Sequence, residues 1–343
     1  MNVGTVSEDL EFELFLKNFT LPKKKEVIPR AKRKKIIVIA GPTAVGKTQL
    51  SLLVAKALNG EIISADSMQV YRGMDIGTAK VGKKERQDIP HHLIDIKEVT
   101  EGFNVAQFYH AAMSAIRETL LHEAVPVVVG GTGFYLHSLL YGPPSGPPSE
   151  PELRKNLEKE LKEQGSSALY ERLRLLDPEY AGTITQRDRH KIVRALEIIS
   201  LTNKKVSQFQ KVPYEGAEHF DFRCWFLYMP KEVLYPRIEM RCDKMIADGL
   251  IDEVKQLKEL GIEKNSSAAH AIGYRQCLEF LATQQSQDDW DHFVTAFKQA
   301  SRRYSKRQMT WFRNEPQFRW LNVHALSPQD VMETVLQDYE LSF

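Results

Sequence analysis

Eight consecutive residues, Gly41-Pro42-Thr43-Ala44-Val45-Gly46-Lys47-Thr48, carry the clearest chemistry in this 343-residue chain. They fit the pattern GxxxxGK[ST]. In such a loop the glycines let backbone N–H groups converge on phosphate oxygens, the lysine adds a point charge, and the threonine hydroxyl can ligate Mg2+. An apolar run, Lys35–Ala40, precedes it and an amphipathic run extends to about Leu58. The loop is therefore expected between a strand and a helix whose N-terminal dipole favours an anion. Loops of this kind serve ATP-binding and other nucleotide-binding proteins. There, a later apolar strand usually ends in an acid that holds the metal for attack on the γ-phosphate. Here the best later strand, Val125–Val129, ends in Gly130-Gly131-Thr132-Gly133 instead. The run Glu61–Ser64 does lead to an acid, Asp66. That residue is open to three readings: metal carboxylate, general base, or helix N-cap. Asp95 is a further candidate for the metal acid. The missing acid after residue 129 shifts weight toward a loop that holds a diphosphate leaving group rather than one that splits a triphosphate.

The elements needed to position these residues follow from hydrophobic periodicity. Strands are expected at 35–40, 61–64, near Leu93–Ile96 and at 125–129, with a helix over 104–122. Strands alternating with helices of this length indicate a parallel sheet covered on both faces. The proline-rich segment Gly142–Pro151 is a composition break, because proline removes amide donors and fixes φ. Residues 152–211 read as helical, 222–228 as a return to the sheet, and 231–313 as mainly helical. The expected fold class is α/β: a P-loop NTPase-like parallel sheet with helices on both faces and a helical insertion domain. The expected organisation is an extension at 1–34, a core formed by 35–142 and 221–325, and an insertion at 143–220.

Formal net charge is only +2, yet the charge is unevenly spread. Residues 23–35 hold eight basic groups and one acid, and residues 298–313 hold six basic groups and no acid. Local basic patches are the footprint of a polyanion partner. The first stretch reads more simply as a solubilising run than as a tail with non-specific RNA affinity. No apolar run reaches the about 18 residues that a membrane span needs. The N-terminus lacks the order of a secretory signal or a transit peptide. Cys224, Cys242 and Cys277 are far apart and odd in number, which fits a reducing cytoplasm and neither a disulfide framework nor a zinc site.

Longer blocks carry a resemblance. Gly41–Thr48, the run Ile63-Ser-Ala-Asp-Ser-Met-Gln-Val-Tyr-Arg-Gly-Met-Asp-Ile-Gly-Thr-Ala-Lys80 and Val129-Gly-Gly-Thr-Gly-Phe-Tyr135 closely resemble the tRNA dimethylallyltransferase family. Arg194–Glu197, Arg237–Arg241, Gly249–Val254, Ala271–Arg275 and Lys306–Arg313 follow in family order, so the resemblance covers about 35–322. It implies transfer of a dimethylallyl group from dimethylallyl diphosphate to the exocyclic amine of the adenosine 3′ of the anticodon. Asp66 then acts as general base, Thr43 and Arg241 assist departure of diphosphate, and Gly41–Thr48 bind it with Mg2+ on Thr48. The target adenine must leave its stack, which costs a few kcal/mol and calls for groups that hold the opened loop.

The resemblance further assigns contacts with the tRNA anticodon stem-loop to Asp66, Ser67, Met68, Gln69, Thr132, His190, Lys191, Arg194, His270, Gly273, Tyr274 and Arg275, and the basic–aromatic run 302–313 adds Arg302 and Lys306. In helical register, Arg302, Lys306, Met309 and Arg313 share a face, with Arg303, Arg307 and Thr310 beside it and Trp311 and Phe312 adjoining. A monomer is expected. The chain departs from the family at Arg187-Asp188-Arg189-His190-Lys191, where Asn-Asp-x-x-Arg is usual, and at His270, where a longer polar or basic residue is usual. Two rivals share the loop. One is a small-molecule enzyme, either a prenyltransferase for free adenylate or a kinase. The other is an RNA-binding ATPase or a non-catalytic RNA module. A late basic–aromatic segment and a helical insertion favour a macromolecular acceptor.

Overall fold

The computed structural model describes residues 33–209 and 219–341. The expectations for the N-terminal extension and for 210–218 therefore fall almost entirely outside the described residues. In chain order the elements are β1 (Lys34–Ala40), α1 (Lys47–Ala57), β2 (Gly60–Ser64), α2 (Lys83–Asp88), β3 (His91–His92), α3 (Val105–Leu121), β4 (Val125–Gly130) and α4 (Gly133–Tyr141). Then come α5 (Pro151–Leu176), α6 (Pro178–Ala181), α7 (Arg189–Thr202), β5 (Phe220–Tyr228), α8 (Lys231–Ala247) and α9 (Leu250–Glu259). The chain ends with α10 (Ser266–Ala269), α11 (Tyr274–Leu281), α12 (Gln287–Phe312), β6 (Arg319–Asn322) and α13 (Pro328–Glu340).

The six strands form one sheet in the order β3-β2-β4-β1-β5-β6, and every pairing is parallel. Side chains alternate across a strand, so β1 feeds both faces. Ile37 and Ile39 enter one apolar core with Leu50 and Val54 of α1, Ile238 of α8 and Phe297 of α12. Ile36, Val38 and Ala40 enter the other with Phe108 and Ile116 of α3 and Leu136 of α4. Burial on both faces explains the near-continuous run of branched residues in β1 and β4. Each fully buried aliphatic side chain contributes about 1.5–3 kcal/mol of transfer free energy. A third core, including Leu157, Leu169, Leu173, Ile192 and Leu196, draws only on α5, α6, α7 and the turns beside them.

Three differences from the sequence reading have physical causes. The edge strand lies at His91–His92 and pairs with Ile62 and Ile63, whereas Leu93 and Asp95 take positive φ values of 63° and 56° that break extended pairing. Helix α5 is kinked at Gly165, which has φ 84°. Helix α13, beyond the expected limit of the core at 325, buries Val331 and Val335 in the first core. Its Asp338 meets the buried Arg223 at 3.2 Å, and Arg223 also pairs with Asp221 at 2.7 Å.

Candidate active site

Parallel sheets bind ligands at the carboxyl ends of their strands. Three loops leave that edge side by side: Gly41–Gly46 after β1, Ala65–Gln69 after β2, and Gly131–Thr132 after β4. Helix α1 starts at Gly46 with no side-chain cap and no acid in its first turn. Its first amides and dipole are thus free to meet an anion. Ala44 holds a positive φ of 64°, a strained value for a residue with a Cβ. Such strain is characteristic of ligand-binding loops. The Lys47 ammonium is folded onto its own loop, donating to the carbonyls of Gly41 at 2.9 Å and Pro42 at 2.8 Å. Burial, and then the nearby Arg241 charge, push its pKa down to about 7, with Asp66 opposing. The Thr48 hydroxyl is exposed at the first turn of α1.

Asp66 uses one oxygen locally. Oδ1 accepts from the amides of Met68 at 2.8 Å and Gln69 at 3.4 Å. No helix follows directly, so Asp66 caps the turn at 67–70 and not a helix N-terminus, while Oδ2 accepts no hydrogen bond from the described residues. Asp66 and Arg241 both face a cavity of ≈300 Å3. Burial presses the Arg241 pKa downward, and Asp66 opposes that. Ile238 and Met245 from α8, Ala271 and Ile272, and Phe297 from α12 give the cavity an apolar wall. Thr43, Ser67, His270, Tyr304 and Arg307 are among its polar lining. Burial, and then the Asp66 charge, raise the Tyr304 phenol, while Thr132, Arg307 and Gln308 oppose.

Of the residues expected to meet RNA, Asp66, Ser67, Met68, His270 and Tyr274 line this cavity. Several are committed elsewhere. Gln69 accepts from the Ser64 hydroxyl at 3.0 Å and donates to the Thr78 carbonyl at 3.3 Å, bracing its own loop. The Thr132 hydroxyl accepts from the Ser67 amide at 3.1 Å instead of capping α4. Arg194 donates to Glu197 at 2.6 Å and to the Pro147 carbonyl, so it pins the proline-rich connection to α7. Gly273 is buried with φ +91°, and a Cβ there would stand 3.1 Å from the Phe297 ring. Tyr274 is fully buried, and its hydroxyl donates to Glu253 at 2.6 Å. Arg302 is half-buried and paired with Glu239 of α8. His190, Lys191, Arg275 and Lys306 are exposed and lie outside the cavity wall. Asp95, the alternative metal acid, accepts from Lys80 at 2.7 Å and Arg86 at 2.6 Å and is taken by those cations.

Sequence reasoning missed four residues or misjudged their weight. Tyr304 and Arg307 line the cavity beside Phe297 and Ser301 of the same helix, whereas Arg302 and Lys306 do not. Gln308 is buried between two of the loops. Glu253 accepts from the amides of Asp75 at 3.0 Å, Ile76 at 2.6 Å and Gly77 at 3.2 Å, as well as from Tyr274. The signal for α12 was the spacing Phe297, Ser301, Tyr304, Gln308, which is one helical face. Charge drew attention to the neighbouring face.

Residues 69–315 match the family model described as IPP transferase. A curated tRNA dimethylallyltransferase from Protochlamydia amoebophila is 56% identical over 342 residues, covering 99% of both chains. The chain belongs to the IPP transferase family. A tRNA dimethylallyltransferase from Chlamydia abortus is 49% identical, covering 90% of this chain and 91% of that one. Among solved structures, a tRNA isopentenylpyrophosphate transferase from Bacillus halodurans superposes with TM-score 0.64 at 38% identity, covering 90% of this chain and 97% of that one. A eukaryotic dimethylallyltransferase acting on tRNA gives TM-score 0.72 at 30% identity, covering 89% of this chain and 77% of that one. The expected P-loop α/β fold is therefore present, with its six parallel strands. Among the described residues, no helix is long and apolar enough to cross a membrane.

Proposed function

We infer that this IPP transferase moves the dimethylallyl group of dimethylallyl diphosphate to the N6 amine of the adenosine 3′ of the anticodon in tRNA. The observation that carries the reading is one cavity that joins a carboxylate with an open oxygen, a guanidinium beside a phosphate-type loop, and an apolar wall of five-carbon scale. The diphosphate lies in the Gly41–Thr48 loop, on the amides at the start of α1, with Arg241 facing it. Lys47 leaves its loop carbonyls for the phosphate, whose charge restores the protonated ammonium. The prenyl chain lies against Ile238, Met245 and Phe297. The C1–O bond to diphosphate breaks as the N6–C1 bond forms, and Asp66 Oδ2 takes the proton that N6 loses. Fixed cations and amides aimed at the developing diphosphate charge make the largest contribution.

Among the described residues no cluster of three His, Cys, Asp or Glu could hold a metal by itself. That fits Mg2+, a hard ion that is usually bound through phosphate oxygens, water and one or two protein oxygens. Thr48 would supply the protein oxygen, and the ion would neutralise the departing diphosphate. For RNA, Arg307 and Tyr304 stand at the cavity, and exposed His190 and Lys191 extend the contact to residues 143–220. The enzyme acts as a monomer in this reading. Three buried free thiols suit a cytoplasmic enzyme.

The test is transfer of label from dimethylallyl diphosphate, with Mg2+ present, to an anticodon stem-loop or to AMP. Label on the stem-loop adenosine is the expected result. Label on AMP, or RNA-stimulated loss of ATP without transfer, would overturn it.

A further inference from the structure

Gln308 lies within α12, is 5% exposed and does not belong to the cavity wall. Its carboxamide spans two loops. Oε1 accepts from the Thr43 N–H at 3.0 Å, and Nε2 donates to the Gly131 carbonyl at 3.0 Å. A backbone N–H only donates and a carbonyl only accepts, so the partners fix the orientation of the amide. At Gly131 a Cβ would stand 2.2 Å from Nε2, so the loop approaches the carboxamide as closely as a glycine allows. The next residue, Thr132, accepts from the Ser67 amide at 3.1 Å, immediately after Asp66. Continuous bonding thus runs from Thr43 through Gln308, Gly131 and Thr132 to the Asp66–Ser67 loop. One turn away on the same helix, Trp311 rests on Gly133 and packs edge-on with Phe134.

We propose that Gln308 is a positioning residue that locks the diphosphate loop to the base-bearing loop, so that the donor C1 and the amine at Asp66 meet in register. The proposal rests on the transfer reaction inferred above. It also explains why the residue is an amide. A carboxylate would set an anionic oxygen against the Gly131 carbonyl, and an aliphatic side chain would leave both loop groups unsatisfied. The Thr43 amide is consumed by the lock, which leaves the Thr43 side chain to face the cavity.

The experiment compares Gln308→Met, Gln308→Glu and Gly131→Ala with the native full chain. It measures single-turnover transfer to a saturating stem-loop, affinity for Mg2+–pyrophosphate and for the stem-loop, thermal melting, and amide hydrogen exchange at Thr43. With Q308M, transfer is expected to fall about 100-fold, as for a misplacement of about 1 Å, while both affinities stay within about threefold. Q308M and G131A are expected to combine without further loss, because both break the same lock. Q308E is expected to recover relative to the native chain as pH falls, since its protonated acid can again donate to Gly131. A purely structural role would not produce that pH-dependent ratio. Native transfer rates in Q308M, a rate loss matched by equal loss of binding or melting temperature, or a Q308E-to-native ratio that is flat with pH would overturn the proposal. If the native chain transfers nothing to RNA, the functional reading fails. The lock is then judged by exchange alone: faster exchange of the Thr43 amide in Q308M supports it, and unchanged exchange refutes it.

Discussion

Binding of a diphosphate should take up a proton at Lys47, and the amount follows from the structure. This ammonium donates to two loop carbonyls, and burial, then the Arg241 charge, bring its pKa to about 7 from the ordinary 10.5. The lowered value means that the charged form is disfavoured and that the lysine loses its proton as pH rises through about 7. At pH 8 about nine-tenths of the anion-free protein then carries a neutral lysine, by the ordinary titration relation. A bound diphosphate restores the charged form, so about 0.9 proton enters per site at pH 8 and about 0.1 at pH 6. Between these values the affinity steepens toward a loss of about tenfold per pH unit above 7. Titration calorimetry with Mg2+–pyrophosphate in buffers of different ionisation enthalpy reads this uptake directly. The ligand has its own titration, and Lys47→Arg supplies the control, since arginine stays charged throughout. The reasoning is refuted if native and K47R proteins take up the same number of protons at pH 8.

Glu253→Ala removes the acceptor for three loop amides and Tyr274, so it is expected to cost about 1–3 kcal/mol in urea unfolding and to weaken donor binding through the Asp75–Thr78 loop. Tyr274→Phe should cost about 1 kcal/mol on the same measure; no change in either would remove Glu253 as the brace of that loop. Arg307→Ala is expected to weaken tRNA binding and reduce its salt dependence by about one ion, whereas Arg302→Ala, already paired with Glu239, should change affinity less than about threefold. The reverse order in filter-binding assays across salt would place the RNA on the other face of α12.

The phosphate loop, the β1, β2, β4 and β5 strands and Asp66 were legible because short periodic runs and a glycine pattern encode them locally. The edge strand was misplaced by a few residues, since two histidines carry no alternating signal and only the left-handed Leu93 and Asp95 end the pairing. On α12 the basic residues were visible, but orientation depends on which face the rest of the fold buries. Arg302 pairs with Glu239 and Gln308 is buried between two loops, while Phe297, Ser301, Tyr304 and Arg307 line the cavity. Tyr274 and Arg194 lie in blocks read as RNA-binding, yet Tyr274 donates to Glu253 and Arg194 to the Pro147 carbonyl, contacts that only the tertiary fold supplies. Motif blocks thus mark a region that matters without separating residues that touch substrate from those that hold the first kind in place.

The most direct test of the central claim is single-turnover transfer by Asp66→Ala, with affinities for the stem-loop and for Mg2+–pyrophosphate measured on the same protein. A general base that takes the N6 proton predicts a rate about 100- to 10,000-fold lower with both affinities nearly unchanged. Transfer at the native rate, or a fall in rate matched by equal losses of both affinities, would contradict it.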